Sequence, residues 1–176
     1  MFGAVRQLGY VVDNVDTAVA GWTRTLGVGP WTIMRNVPLA AVYEGKPSTP
    51  VIDLALSYRG DVQIELIQQT NDAPSPYLDY VRRKQFGLHH IAFLSEDIRD
   101  EIRRAEQAGL KLIFDIDMHG GRYVYFASPV PGEKTFIEVL EATATIKQMF
   151  EIGVPAAQSW NGSGKPVVID FAKMKR

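Results

Sequence analysis

Gly87-Leu88-His89-His90-Ile91-Ala92-Phe93-Leu94 is an apolar run carrying two imidazoles, and it follows a segment that begins Ser75-Pro76 and reaches about Gln85. Proline is favoured at a first helical position and Gly87 suits a helix stop, so the segment reads as a short helix leading into a strand. Upstream, Val5-Arg6-Gln7-Leu8-Gly9-Tyr10-Val11-Val12 has the same shape and closes on the turn residues Asp13-Asn14.

The segments downstream of these two strands also correspond. Asp16 is placed to cap a helix from about Thr17 to Leu26 that Gly27 stops, and Ser95 and Gly109 bracket a second helix in the same way. Ile98, Ile102 and Ala105 share one side of that second helix while Arg99, Asp100, Arg103 and Arg104 face away, which makes it amphipathic and suited to lie on a sheet. Strand-like runs then recur three times per half: Trp31–Asn36, Val51–Tyr58 and Val62–Gln68, then Lys111–Ile116, Arg122–Ala127 and Thr135–Glu141. Both halves therefore read β-α-β-β-β. The expected fold is α+β: two βαβββ modules, about 1–70 and 87–141, joined by a helical connector over 71–86 and forming a curved mixed sheet. Residues 1–141 make one domain and 142–176 a C-terminal extension.

Polar residues inside these strands carry the functional signal. Val62-Gln63-Ile64-Glu65-Leu66-Ile67 and Thr135-Phe136-Ile137-Glu138-Val139-Leu140 each hold a carboxylate mid-strand, where burial without a partner costs several kcal/mol. Side chains alternate along a strand, so Gln7 shares a face with Val5, Gly9 and Val11, and His90 with Leu88, Ala92 and Leu94. Each module thus supplies one candidate ligand from its first strand and one from its last: Gln7 and Glu65, then His90 and Glu138. If the sheet curls, two carboxylates, an imidazole and an amide oxygen converge on one cation, which offsets the cost of burying them. Taken one at a time, such residues are more often ion-paired or hydrogen-bonded core groups; the matched positions favour a metal. His89, next to His90, is expected on the outer, helix-facing side, since neighbouring strand residues point apart unless a bulge intervenes. His119 sits in the turn-forming stretch Asp117–Arg122, which could close over a cavity mouth but reads more readily as solvated.

The β-α-β-β-β duplication, the run Gly87–Phe93 and Phe136-Ile137-Glu138-Val139 resemble the vicinal oxygen chelate superfamily of glyoxalase-like proteins, in particular methylmalonyl-CoA epimerase and its glyoxalase-like relatives. The resemblance spans about Val5 to Glu141. It implies one divalent metal, among zinc, cobalt, nickel, manganese and magnesium, and a small-molecule substrate. The first-strand ligand of that family is often histidine, whereas this chain has Gln7. The Gln, Glu, His, Glu set is similar to that of eukaryotic-type glyoxalase I, although no glutathione-binding signature accompanies it. Ring-cleaving dioxygenases of the superfamily use two histidines and a glutamate, and only His90 is available here at the matched positions.

Composition agrees with small-molecule chemistry. The 176 residues are 46% hydrophobic and 22% charged, enough for a buried core. Nineteen basic and 20 acidic residues leave a net charge of −1, so no general field attracts nucleic acid or an anionic membrane. Cysteine is absent, which removes disulfides, thiolate ligands and thiol nucleophiles. No basic leader precedes an apolar stretch, and no segment approaches the roughly 18 apolar residues of a membrane span, so a cytoplasmic location is expected, with a homodimer as the expected assembly.

A metal held this way suits polarisation of a carbonyl and proton transfer at the carbon beside it, giving an isomerase, epimerase or glyoxalase-type lyase. By the resemblance, Glu138 is the first candidate for the base and Glu65 the second. Trp31, Tyr43, Tyr123 and Phe126 are candidates to line the pocket, and Arg122 to meet a substrate carboxylate or phosphate. The competing expectation is a non-catalytic small-molecule binder of the same fold, but antibiotic-sequestering relatives of that kind generally lack the carboxylate pair.

Overall fold

In a computed structural model, described over residues 2–118, 120–130 and 132–174, the chain forms one curled mixed sheet with helices on both faces. The first module runs β1 (Val5–Val11), α1 (Val15–Leu26), β2 (Thr32–Pro38), a hairpin of β3 (Ala40–Tyr43) and β4 (Lys46–Ser48), β5 (Val51–Arg59) and β6 (Val62–Gln69). The connector is α2 (Pro76–Arg83). The second module is β7 (Gly87–Ser95), α3 (Ile98–Gln107), β8 (Leu112–Met118), β9 (Gly121–Phe126) and β10 (Phe136–Glu141). α4 (Ala144–Gln158) and β11 (Val167–Asp170) complete the chain before a short 3-10 turn.

Two helix starts differ from the sequence reading. Asn14, not Asp16, caps α1 by accepting from the Thr17 amide at 2.8 Å, and Asp97, not Ser95, caps α3 by accepting from Asp100 at 3.0 Å. In both cases the capping oxygen must sit three residues before the amide it satisfies, and these are the side chains at that spacing. Ser75 caps α2 as expected, and Gly27 closes α1 in the left-handed region at φ 62°.

Strand order is β11-β2-β5-β6-β1-β7-β10-β9-β8-β3-β4, so the two first strands, β1 and β7, pair antiparallel at the centre with β6 and β10 parallel on their flanks. Only Leu39 separates β2 from β3, yet β2 lies near one edge and β3 pairs with β8 near the other. The sheet must therefore curl until its far sides meet at that residue. The hairpin is not apparent from the sequence because its turn, Glu44-Gly45 with φ of 49° and 78°, puts glutamate where Asn or Asp is the usual signal.

Alternation then sorts the core. Ile64 and Leu66 of β6 pack with Val15, Val19 and Trp31 beneath α1, and Val124, Phe126 and Val139 pack beneath α3. The opposite, concave face carries Val11, Leu54, Ile67, Phe114 and Tyr125, with Tyr77 and Tyr80 of α2 set against them.

The C-terminal extension has two placements. β11 adds a parallel strand to β2, and α4 lies on the concave face, where Ile146 and Phe150 are buried against Tyr58. Gly153 lets the helix approach: a Cβ there would stand 2.0 Å from the Tyr58 ring. Two such buried apolar side chains are worth several kcal/mol, so removing residues 143–176 is expected to lower the melting temperature by roughly 10 °C, read by calorimetry. Metal uptake of about one ion per chain should survive, because none of the four candidate ligands lies in the deleted segment.

Candidate metal centre

Gln7, Glu65, His90 and Glu138 converge on the concave face of the four central strands. The ladder explains how. Gly9 is opposite Glu65 on one side and His90 on the other, while Ala92 is opposite Gln7 and Glu138, so two small residues leave room above them for four long side chains. Gly9 has no side chain where one would collide: a Cβ would lie 1.9 Å from Cε1 of His90. An isolated glycine in a strand is a general signal of such a close approach, and Gly9 is the one place in β1 where that signal stands.

His90 Nε2 has three oxygens around it: Gln7 Oε1 at 3.1 Å, Glu138 Oε2 at 3.0 Å and Glu65 Oε2 at 3.4 Å. One N–H can serve only one of them well, and Glu138 Oε2, fully buried, finds no correctly directed hydrogen bond despite its proximity to the ring. The ligand atoms of Glu65, His90 and Glu138 all lie within 4.8 Å of one another. Oxygens and a ring nitrogen gathered about one point, with a buried carboxylate oxygen left over, fit a divalent cation. Gln7 presents its oxygen to that point because its Nε2 donates to Gln63 Oε1 at 2.7 Å. Gln63 donates to the Tyr58 hydroxyl at 2.7 Å, and Tyr58 donates to the Met149 carbonyl of α4 at 2.9 Å. Sequence reasoning missed this relay, although Gln63 does share the face of Glu65.

Electrostatics follow from the crowding. Burial lowers the His90 pKa, but the adjacent carboxylates of Glu138 and Glu65 more than offset it, and the group is pushed up to about 9. Burial raises Glu65, with His90 opposing and Glu138 reinforcing. At neutral pH His90 therefore carries a second proton, and its positive charge faces the two carboxylates.

A metal bound through His90 Nε2 would have to displace that proton, so zinc affinity is expected to strengthen about tenfold per pH unit from pH 6 toward 9 and to level off above, with a proton released, read by titration calorimetry in buffers of different ionisation heat. Stability of the metal-free protein runs the other way. A folded pKa above the unfolded value of about 6.5 gives stabilisation present below 6.5 and lost as pH rises through about 9, and Glu65, also raised, adds the same sign from about 4.5 upward. Urea midpoints of metal-free protein should fall between pH 6 and 9.

His89 does not face outward. Gly9 pairs with His90 and Tyr10 with Leu88, so His89 is the extra residue of a bulge, and its ring turns inward. It is fully buried among Tyr77, Tyr80 and Phe136, with Nδ1 3.0 Å from His90 Nδ1. Burial and the neighbouring His90 charge push its pKa well below the ordinary value, against a weak contact from the Pro76 carbonyl.

The other candidates separate. Tyr123 is on the concave face, between the core there and α4. Tyr43 packs edge-on against Phe114 on the same side. Trp31 is buried under α1, its Nε1 donating to the Val28 carbonyl, and Phe126 lies beneath α3, so neither reaches the quartet. Arg122 alternates with Tyr123 and is engaged by both carboxylate oxygens of Asp115 at 2.8 and 2.6 Å, which turns it away from the quartet. His119 lies outside the described residues.

The sequence profile of the Glyoxalase/Bleomycin resistance protein/Dioxygenase superfamily matches residues 6–126, and the chain belongs to that superfamily. Among curated proteins, Bacillus subtilis YqjC is 28% identical over 105 residues, 58% of this chain and 74% of that protein. Similar solved structures include the Bacillus halodurans protein BH1468 (17% identity, 80% and 94% of the two chains, TM-score 0.58). Methylmalonyl-CoA epimerase from Mycobacterium tuberculosis is another (16%, 84% and 93%, TM-score 0.57). A Streptomyces coelicolor methylmalonyl-CoA epimerase in complex with 2-nitronate-propionyl-CoA is a third (17%, 82% and 100%, TM-score 0.55). At these identities the structural likeness establishes the fold. No helix among the described residues is long and apolar enough to cross a membrane.

Proposed function

We propose that this chain is a divalent-metal-dependent enzyme that moves a proton at a carbon next to a carbonyl of a small acyl or ketone substrate, giving epimerisation, isomerisation or a glyoxalase-type conversion. The observation that carries the reading is the crowding of Gln7 Oε1, Glu65 and Glu138 around His90 Nε2, with Glu138 Oε2 buried and unsatisfied. These four residues would hold the ion. Bound there, a divalent cation supplies Lewis-acid polarisation of a substrate carbonyl, which acidifies the neighbouring C–H.

The remaining steps belong to the chain. Glu138 accepts the proton from carbon and returns it, as a carboxylate in a dry pocket can, and Glu65 holds the second negative charge that balances the ion. The Gln63–Tyr58 relay keeps the amide oxygen of Gln7 turned inward, and α4 with the tyrosines of the concave face keeps bulk water away. The likeness to methylmalonyl-CoA epimerases supports an acyl thioester as the first substrate class to try. A cytoplasmic homodimer goes with this reading; Val167, Val168 and Ile169 stay exposed on the free edge strand, a surface that self-association would cover.

Metal analysis of the purified protein after dialysis against zinc, cobalt, nickel, manganese or magnesium should find about one ion per chain. Metal-loaded protein incubated in heavy water with 2-methyl-branched acyl thioesters, hemithioacetals and cyclic ketones should place deuterium at the α carbon of at least one. No metal retained ends the metalloenzyme reading; metal retained with no exchange across the panel moves the assignment to a binding protein.

A further inference from the structure

We propose that His89 is a positioning residue: by accepting the Nδ1–H of His90 it holds His90 in the tautomer that leaves Nε2 free to ligate a divalent cation. The inference rests on the reading that the quartet holds such an ion.

The two imidazoles meet Nδ1 to Nδ1 at 3.0 Å, so one nitrogen must carry the shared hydrogen and the other must accept it. His90 Nε2 is the nitrogen that points at Gln7, Glu65 and Glu138, and a ligating nitrogen has no hydrogen. His90 therefore carries its hydrogen on Nδ1 and donates it to His89. That leaves the hydrogen of His89 on Nε2, with the Pro76 backbone at the start of α2 beside the ring. A ligating histidine usually donates its second N–H to a carboxylate or carbonyl; here a second imidazole fills that place.

The fold commits heavily to this contact. Inserting His89 as the extra residue of a bulge breaks the β1–β7 ladder, and the ring is then enclosed by Tyr77 at 5.0 Å, Tyr80 at 4.7 Å and Phe136 at 4.8 Å between centroids. An apolar side chain would fill an aromatic enclosure more cheaply than an imidazole whose Nε2 lacks a well-directed partner. His89 itself is not placed as a ligand, because its Nδ1 is turned to His90.

The test compares full-length metal-free wild type, His89→Leu and His89→Asn by calorimetric titration with zinc chloride, with melting curves of each. Asparagine presents an amide oxygen near the position of Nδ1 and can accept the same hydrogen. Zinc binding by His89→Leu should weaken about 10–100-fold, and His89→Asn should return to within a few-fold of wild type. Long-range proton–nitrogen spectra of zinc-loaded wild type should show the His90 hydrogen on Nδ1 and the His89 hydrogen on Nε2, which decides the matter even if His89→Leu does not fold. Equal zinc affinity in folded His89→Leu, failure of folded His89→Asn to recover it, or a His90 without hydrogen on Nδ1 each overturns the assignment of His89 alone. Wild type that takes up no zinc overturns the metal reading and this inference with it.

Discussion

Glu138→Gln, loaded with metal and incubated in heavy water with a substrate that wild type exchanges, should incorporate deuterium at the α carbon about 10²–10⁴-fold more slowly. The substitution keeps the length and shape of the side chain and an oxygen able to ligate, but an amide cannot take up and return a proton. Metal content, measured on the same samples, should fall far less than the exchange rate, because Glu65 and His90 remain. The environment of Glu138 gives the experiment its force: the residue is 3% exposed, so a water-borne base has little access to substitute for it. Exchange at the wild-type rate in Glu138→Gln, with loss in Glu65→Gln, would transfer the proton to Glu65, whose raised pKa and partial exposure make it the second candidate.

Gly9→Ala should weaken metal binding strongly, from a residue that ligates nothing. The new methyl would stand 1.9 Å from Cε1, 2.0 Å from Nε2 and 2.6 Å from Nδ1 of His90, so it meets the ring itself and not the end of a flexible chain. Because His90 is fully buried, the ring has nowhere to retreat without moving Gln7 or Tyr125. Zinc affinity should drop by about 10–100-fold, by analogy with the loss of groups that orient metal ligands, and stability should fall by about 1–3 kcal/mol from overpacking. Wild-type zinc affinity in Gly9→Ala would mean that His90 does not occupy this position when metal is bound.

Much of the architecture was legible because it is local and repeated. Period-two apolar runs mark strands, Ser75-Pro76 and Gly27 mark helix ends, and the same order occurring twice marks two modules; none of these requires knowing what lies across the sheet. The quartet was legible for a related reason. A carboxylate in the middle of an apolar strand is costly wherever it occurs, and finding Glu65 and Glu138 at equivalent places in two repeats is informative without coordinates. Residue type alone does not say which way a side chain faces: Trp31 packs under α1 and Arg122 pairs with Asp115, whereas Tyr123 lies on the concave face.

By itself, then, the chain's amino-acid order determined two βαβββ modules, the inward strand face of each and the four polar residues that share it, because alternation and propensity act within a few residues. Tertiary structure alone decided that His89 turns in beside His90, since a bulge is a two-against-one count between β1 and β7, paired across some eighty residues of chain. It decided which end of the Gln7 amide faces the ligand point, through Gln63, Tyr58 and a carbonyl of α4. It also decided that the sheet curls until β2 and β3, near its two edges, meet at Leu39 and that α4 covers the concave face. Each of these depends on which distant segment becomes a neighbour, and that is set by how the whole sheet pairs and how much apolar surface its curvature leaves to be covered.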